Sequence, residues 1–335
     1  MVRRESGVDL IRCFGLFCVV NLHAFLKNGF YGESQLGLSM WAANSFRWLF
    51  FGCNGIFMML TGYLKSTAQP LRKGYFRGLQ AVLLSYVLTC LVSFPIRHFL
   101  LDETLTLSQW LEKGVTFANY GWYVEMYIGL YLLSPLVNLA LNQLQRPRDL
   151  LGMAGLLAML TALPSMTPIN LAPDFWGGIY PLTYYVIGAV IQRLQPQVRP
   201  WLGLLGAAVI AVGLGLVSAL STDEGFSSGF TQGYGGFWVT AMVTFLFLGF
   251  YRVRASAVTG KILAWAAGGC FEGYILSRLL DVWAYARFPQ WHSPEYYPLL
   301  FLCVTIPIFI SSVLMGKLVH APVSWLMGRR HRPTA

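Results

Sequence analysis

Apolar residues in this chain fall into long blocks of about twenty, broken by short polar or turn-rich connectors, and a block of that length is what one helical crossing of a bilayer needs. Ten such blocks lie near residues 8–27, 41–64, 77–97, 121–143, 150–165, 178–193, 201–220, 236–251, 262–285 and 297–316, the fifth and sixth being short. The connectors, such as Lys65-Ser-Thr-Ala-Gln-Pro-Leu-Arg-Lys-Gly and Gly225-Phe-Ser-Ser-Gly-Phe-Thr-Gln-Gly-Tyr-Gly, have the composition of loops. The pattern predicts an all-α, polytopic transmembrane bundle of about ten spans. It forms a single domain over residues 1–335, with no fused soluble domain expected.

Composition points the same way. Of the 335 residues, 56% are hydrophobic and 11% charged, whereas a soluble domain carries about 25% charged residues. The net charge of +10 is not gathered into a basic stripe with interleaved aromatics, so nucleic acid is not expected as a partner. The six cysteines all sit in apolar blocks without a C-x-x-C pair or metal-ligand spacing, and neither a disulfide framework nor a metal site is expected. The first block carries Asp9, Arg12 and His23 and has no small-residue cleavage site, so it is expected to stay as a first span.

The Lys and Arg residues then orient the bundle. With the N-terminus inside, 17 fall on inner segments and 4 on outer loops, and 3 lie within spans. Cytoplasmic loops hold the excess of basic residues, so both termini are expected in the cytoplasm and the number of crossings is even. The Arg329-Arg-His-Arg cluster is expected to lie against anionic inner-leaflet lipid.

Ionisable groups within the blocks cost a few kcal/mol each unless they face a partner or water. Here they are Asp9, Arg12, His23, Arg47, Glu125, Glu272, Arg278 and Asp281. Arg12 and His23 are eleven residues apart, which returns to within about 20° of one direction and separates them by roughly 16 Å along a helix. Asp9 stands one turn before Arg12 on that face. Arginine is a strong phosphate ligand, and histidine is suited to take a proton from a hydroxyl near neutral pH. A donor with a phosphate-bearing head and a long thin arm, such as acyl-CoA, fits this stripe with its thioester near His23. The competing reading has Arg12 snorkelling to headgroups and His23 bonding a neighbouring helix.

Other residues join this picture. Trp122, Tyr123, Glu125 and Tyr127 form a set that binds a sugar acceptor by stacking and hydrogen bonding, or else an interfacial aromatic belt. Glu272 needs a partner such as Arg47 or Arg12, or a proton, and is read as orienting or pocket-lining. Asn54 is a candidate to orient His23. Arg278 and Asp281, three apart on one helix, are expected to neutralise each other.

The stretch from Gly7 to His23, with Arg12 and His23 separated by ten residues, resembles the opening of the integral membrane acyltransferase family 3. Three further segments resemble family segments in order and position: Asn54-Gly-Ile-Phe-Met-Met-Leu-Thr-Gly-Tyr-Leu, Trp122-Tyr-Val-Glu-Met-Tyr-Ile-Gly-Leu-Tyr-Leu-Leu-Ser-Pro-Leu and Phe271-Glu-Gly-Tyr-Ile-Leu-Ser-Arg-Leu-Leu-Asp. The resemblance implies a bacterial inner-membrane enzyme that moves an acyl group, most simply acetyl, from cytoplasmic acyl-CoA to a hydroxyl of a lipid-linked sugar or surface polysaccharide. It maps Arg12 and His23 onto the family's essential pair, with His23 as the catalytic base and acyl-CoA as co-substrate rather than resident cofactor. The family's Arg pair spaced by three is replaced here by Arg72, Lys73 and Arg77, candidates for donor binding, and Ser277 stands where many members have His. A transporter or flippase for a lipid-linked glycan is the alternative, against which stands the lack of a repeat between the halves.

Overall fold

A backbone in hydrocarbon must satisfy its own hydrogen bonds, and each apolar block does so by becoming helix. In the computed structural model, which describes residues 5–68, 74–115, 121–165, 172–221, 233–287 and 296–329, there is no strand among the described residues. The helices are α1 Ser6–Lys27, α2 Leu38–Phe51, α3 Cys53–Lys65, α4 Arg77–Leu101, α5 Leu107–Val115, α6 Trp122–Gln143 and α7 Pro147–Ala162. They continue as α8 Tyr180–Leu194, α9 Pro200–Ser221, α10 Phe237–Phe250, α11 Ala257–Ala267, α12 Cys270–Arg287, α13 Tyr297–Leu300 and α14 Ile306–Arg329.

By length and composition, five helical segments suffice to cross a membrane: Ser6–Lys27, Arg77–Leu101, Trp122–Gln143, Pro200–Leu220 and Phe301–Leu326. The other blocks are shorter helices or are interrupted. Gly52 separates α2 from α3, and Gly268-Gly269 separates α11 from α12. The last helix departs from the sequence expectation, which ends the block at residue 316. Lys317 carries its ammonium over the Trp265 ring, 5.8 Å from the centroid, so the charge does not end the helix and α14 continues past His320.

The most enclosed of the five is α1. Of its apolar window 72% is buried inside the protein, against 33–44% in the other four, which makes it the central helix. It packs on α2, α3, α10, α11, α12 and α14. That placement explains how a helix bearing Asp9, Arg12 and His23 is tolerated, since its polar groups face protein instead of lipid.

Small residues let neighbouring helices approach to backbone contact. Between α3 and α8, a Cβ built on Gly62 would collide with the Tyr185 carbonyl, and one on Gly188 with the Met59 carbonyl. Between α12 and α14, Gly273 abuts Gly316 and the Ser312 carbonyl. The two crossings hold the walls of the cavity described below. Gly188→Leu is expected to force α3 and α8 apart and cost about 1–3 kcal/mol, the range for overpacking, read as a lowered Tm of the detergent-solubilised protein.

Candidate functional site

Near the C-terminal end of α1, His23 Nδ1 lies 2.6 Å from Asp281 Oδ2 of α12. The carboxylate is fully buried and the imidazole is 18% accessible. A buried carboxylate accepting from Nδ1 holds that proton in place and leaves Nε2 as the free basic nitrogen. Asp281 Oδ1 has no hydrogen-bond partner among the described residues, so the imidazole is its principal compensation.

Eleven residues earlier on α1, Arg12 donates to Asp9 Oδ1 at 3.1 Å. Asp9 is buried, while the guanidinium is 32% accessible. The pair stands between two open spaces. On the Arg12 side is a mostly apolar cavity of about 390 Å³ lined by α1, α3, α4, α6, α11, α12 and α14, its polar groups including Arg12, Asn54, Thr61, Ser85, Glu272 and His320. On the Asp9 side is a polar vestibule of about 550 Å³ at the junction of α10 and α11, with Arg252, Arg254 and Lys261 on its wall. The Ser256 side chain caps α11 by accepting from the Thr259 N–H, and Ser256 belongs to the same wall. The vestibule therefore joins three cations and a helix N-terminus to the carboxylates of Glu5 and Asp9, with the cations in excess by one.

The cavity reaches Val19 on α1, and His23 follows Val19 by one turn on the same face, just beyond its lining. One face of α1 thus carries the Asp9–Arg12 pair at the vestibule, the apolar Leu16 and Val19 in its middle, and the His23–Asp281 dyad at its far end.

A second imidazole–carboxylate pair lies in the cavity wall. His320 Nδ1 of α14 is 2.9 Å from Glu272 Oε1 of α12, and the Ser85 hydroxyl of α4 donates to the same oxygen. Glu272 is 2% accessible. Glu272 and Asp281 are nine residues apart on α12, two and a half turns, so the helix presents them on opposite faces to different neighbours.

Several sequence expectations are corrected here. Asp281 pairs with His23 and not with Arg278, because the α1–α12 packing brings the imidazole to it. Asn54 does not hold His23 Nδ1; it lines the cavity beside the Tyr234 phenol. Glu272 meets His320 and Ser85 in place of Arg47 or Arg12. Arg47 instead lies between the rings of Trp48 and Phe51, 4.4 Å from each centroid, and donates to the Tyr31 hydroxyl.

The aromatic set at the start of α6 is divided. Tyr123 is buried and lines the cavity with Tyr127, Trp122 stacks on Tyr234, and Glu125 is exposed and outside the lining. Among the proposed donor-binding residues, Arg77 is exposed at the start of α4, and Arg72 and Lys73 lie outside the described residues. His320 and the cations of the vestibule were not singled out as site residues by sequence reasoning. A histidine four residues beyond the end of an apolar block is a weak signal, and Arg252, Arg254 and Lys261 read as ordinary inner-loop charges.

The family model for the acyltransferase domain of acyltransferase family 3 matches residues 5–317, nearly the whole chain. No curated protein and no solved structure matches the chain.

Proposed function

The chain belongs to acyltransferase family 3, and from that premise we propose that it transfers an acyl group, most simply acetyl, from cytoplasmic acyl-CoA to a hydroxyl of a lipid-linked sugar or surface polysaccharide. The observation that carries this reading is the His23–Asp281 dyad, set at the far end of the α1 face that carries Arg12. In this reading the protein is a single ten-span domain of the bacterial cytoplasmic membrane with both termini inside. The vestibule opens to the cytoplasm and the dyad lies towards the outer leaflet. Arg252, Arg254 and Lys261 are among the basic residues that the positive-inside rule assigns to the cytoplasmic side.

The phosphates of the donor rest in the vestibule and reach Arg12, which exchanges its contact with Asp9 for the stronger charge of a phosphate. From that point the pantetheine arm extends about 16 Å at the rise of an extended chain. The axial distance from Arg12 to His23 is also roughly 16 Å. The thioester therefore arrives at the imidazole. The acceptor oxygen attacks the thioester carbonyl carbon while His23 Nε2 takes the hydroxyl proton. The tetrahedral adduct collapses, the C–S bond breaks, and the imidazolium returns the proton to the departing thiolate, giving an ester and CoA thiol. Asp281 stabilises the imidazolium that exists between the two proton transfers. Tyr123, with Trp122 near it, faces the acceptor in this arrangement.

Purified protein in nanodiscs, supplied with radiolabelled acetyl-CoA and extracts of lipid-linked glycans, tests the reading, with mass spectrometry to locate the new ester. Absence of transfer to every glycan fraction would sink it. The vestibule has its own consequence. Arg252→Ala combined with Arg254→Ala is expected to raise KM for acetyl-CoA by roughly 3- to 10-fold, the scale of exposed charge contacts. KM for acetyl-pantetheine, which lacks the nucleotide, is expected to stay unchanged in steady-state assays.

A further inference from the structure

His320 and Glu272 form a dyad of the same construction as His23 and Asp281: Nδ1 against a carboxylate, the carboxylate 2% accessible, and an imidazole open enough to meet a ligand at 35% accessibility. Burying Glu272 is costly unless it is hydrogen-bonded, and a buried carboxylate that receives both an imidazole and the Ser85 hydroxyl fixes the orientation of that imidazole. With Nδ1 committed to Glu272, Nε2 is the polar atom His320 has left for the contents of the cavity.

Its depth selects what that atom meets. Glu272 precedes Asp281 by nine residues on one helix, which sets the two dyads roughly 13 Å apart along the axis and on opposite faces of α12, the His320 dyad being at the cavity that Arg12 lines. An acceptor hydroxyl at His23 is too far away to reach it. On a donor whose thioester is at His23, the amide beside the sulfur lies only about 4–5 Å back. The second amide and the carbinol hydroxyl of the pantetheine arm lie about 9–12 Å back. We propose that His320, oriented by Glu272, is a positioning residue that accepts a hydrogen bond from this distal part of the pantetheine arm and so recognises the acyl donor by its arm. The inference rests on acyl-CoA being the donor, and it adds a contact that the general acyltransferase reading does not require.

The test uses three acetyl thioesters of decreasing length: acetyl-CoA, acetyl-pantetheine, and acetyl-N-acetylcysteamine, which retains only the amide nearest sulfur. For His320→Ala in the full-length protein, KM is expected to rise about 3- to 10-fold for the first two donors, the worth of one neutral hydrogen bond, and to be unchanged for the third. His320→Gln, which restores an acceptor, is expected to recover most of the loss. A purely structural role would move kcat or the amount of folded protein equally for all three donors, and that result overturns the proposal, as does unchanged KM for all three. A wild-type protein that uses none of the three thioesters overturns the acyl-CoA reading and this inference with it.

Discussion

His23→Gln is expected to lower kcat by about 10²- to 10⁴-fold, the contribution of a positioned general base, equivalent to roughly 3–5 kcal/mol of barrier. Glutamine is the informative choice because its amide can still donate to Asp281, which would otherwise be left as an uncompensated buried carboxylate. Alanine at the same position removes both functions and confounds chemistry with folding. The amide has no proton-accepting capacity near neutral pH, so the attacking hydroxyl keeps its proton and the tetrahedral adduct does not form at a useful rate. The measurement is the initial rate of ester formation in reconstituted protein, with elution volume and Tm as controls for folding. Wild-type turnover in a correctly folded His23→Gln protein would show that the proton leaves by another route.

The second large effect belongs to Asp281. Asp281→Asn is nearly isosteric, yet it turns the partner of His23 Nδ1 from an acceptor into a possible donor. An imidazole that accepts at Nδ1 carries its proton on Nε2 and has no base to offer the substrate. It also loses the charge that stabilises the imidazolium. In a histidine–carboxylate pair working as base, this change costs up to about 10⁴-fold with geometry intact. The expectation for this protein is a fall in kcat of about 10²- to 10⁴-fold, with KM for the donor unchanged because Asp281 is fully buried behind the imidazole and is not exposed to a ligand. Combining Asp281→Asn with His23→Gln is expected to cost little more than either alone, since the two residues act as one unit. Additive losses would mean that Asp281 works through something other than the imidazole.

How much of this was legible beforehand follows from what helical periodicity encodes. The i, i+11 relation of Arg12 and His23 states that they share a face, and the position of Asp9 extends that face without reference to any other helix. The family resemblance added the expectation of acyl transfer, and the family match over residues 5–317 agrees with it. The same periodicity misled at Asp281. Its spacing from Arg278 permits an intrahelical ion pair, but α1 lies close enough to offer an imidazole, and a contact 258 residues away in sequence wins. Glu272 shows the limit differently: the need for a partner was plain from its burial cost, while the partner itself, His320, stands beyond a lysine taken as the end of the last apolar block.

The amino-acid sequence alone determined the helical class, the membrane environment and the polar face of the first helix. These depend on local quantities: the length of an apolar run, the transfer cost of each side chain, and 100° of rotation per residue. Which carboxylate meets which imidazole, and which open space each pair borders, was decided only by the tertiary structure. Those pairings depend on how α1, α12 and α14 cross, and the crossings are set by close packing at glycines such as Gly273 and Gly316 between distant segments of the chain.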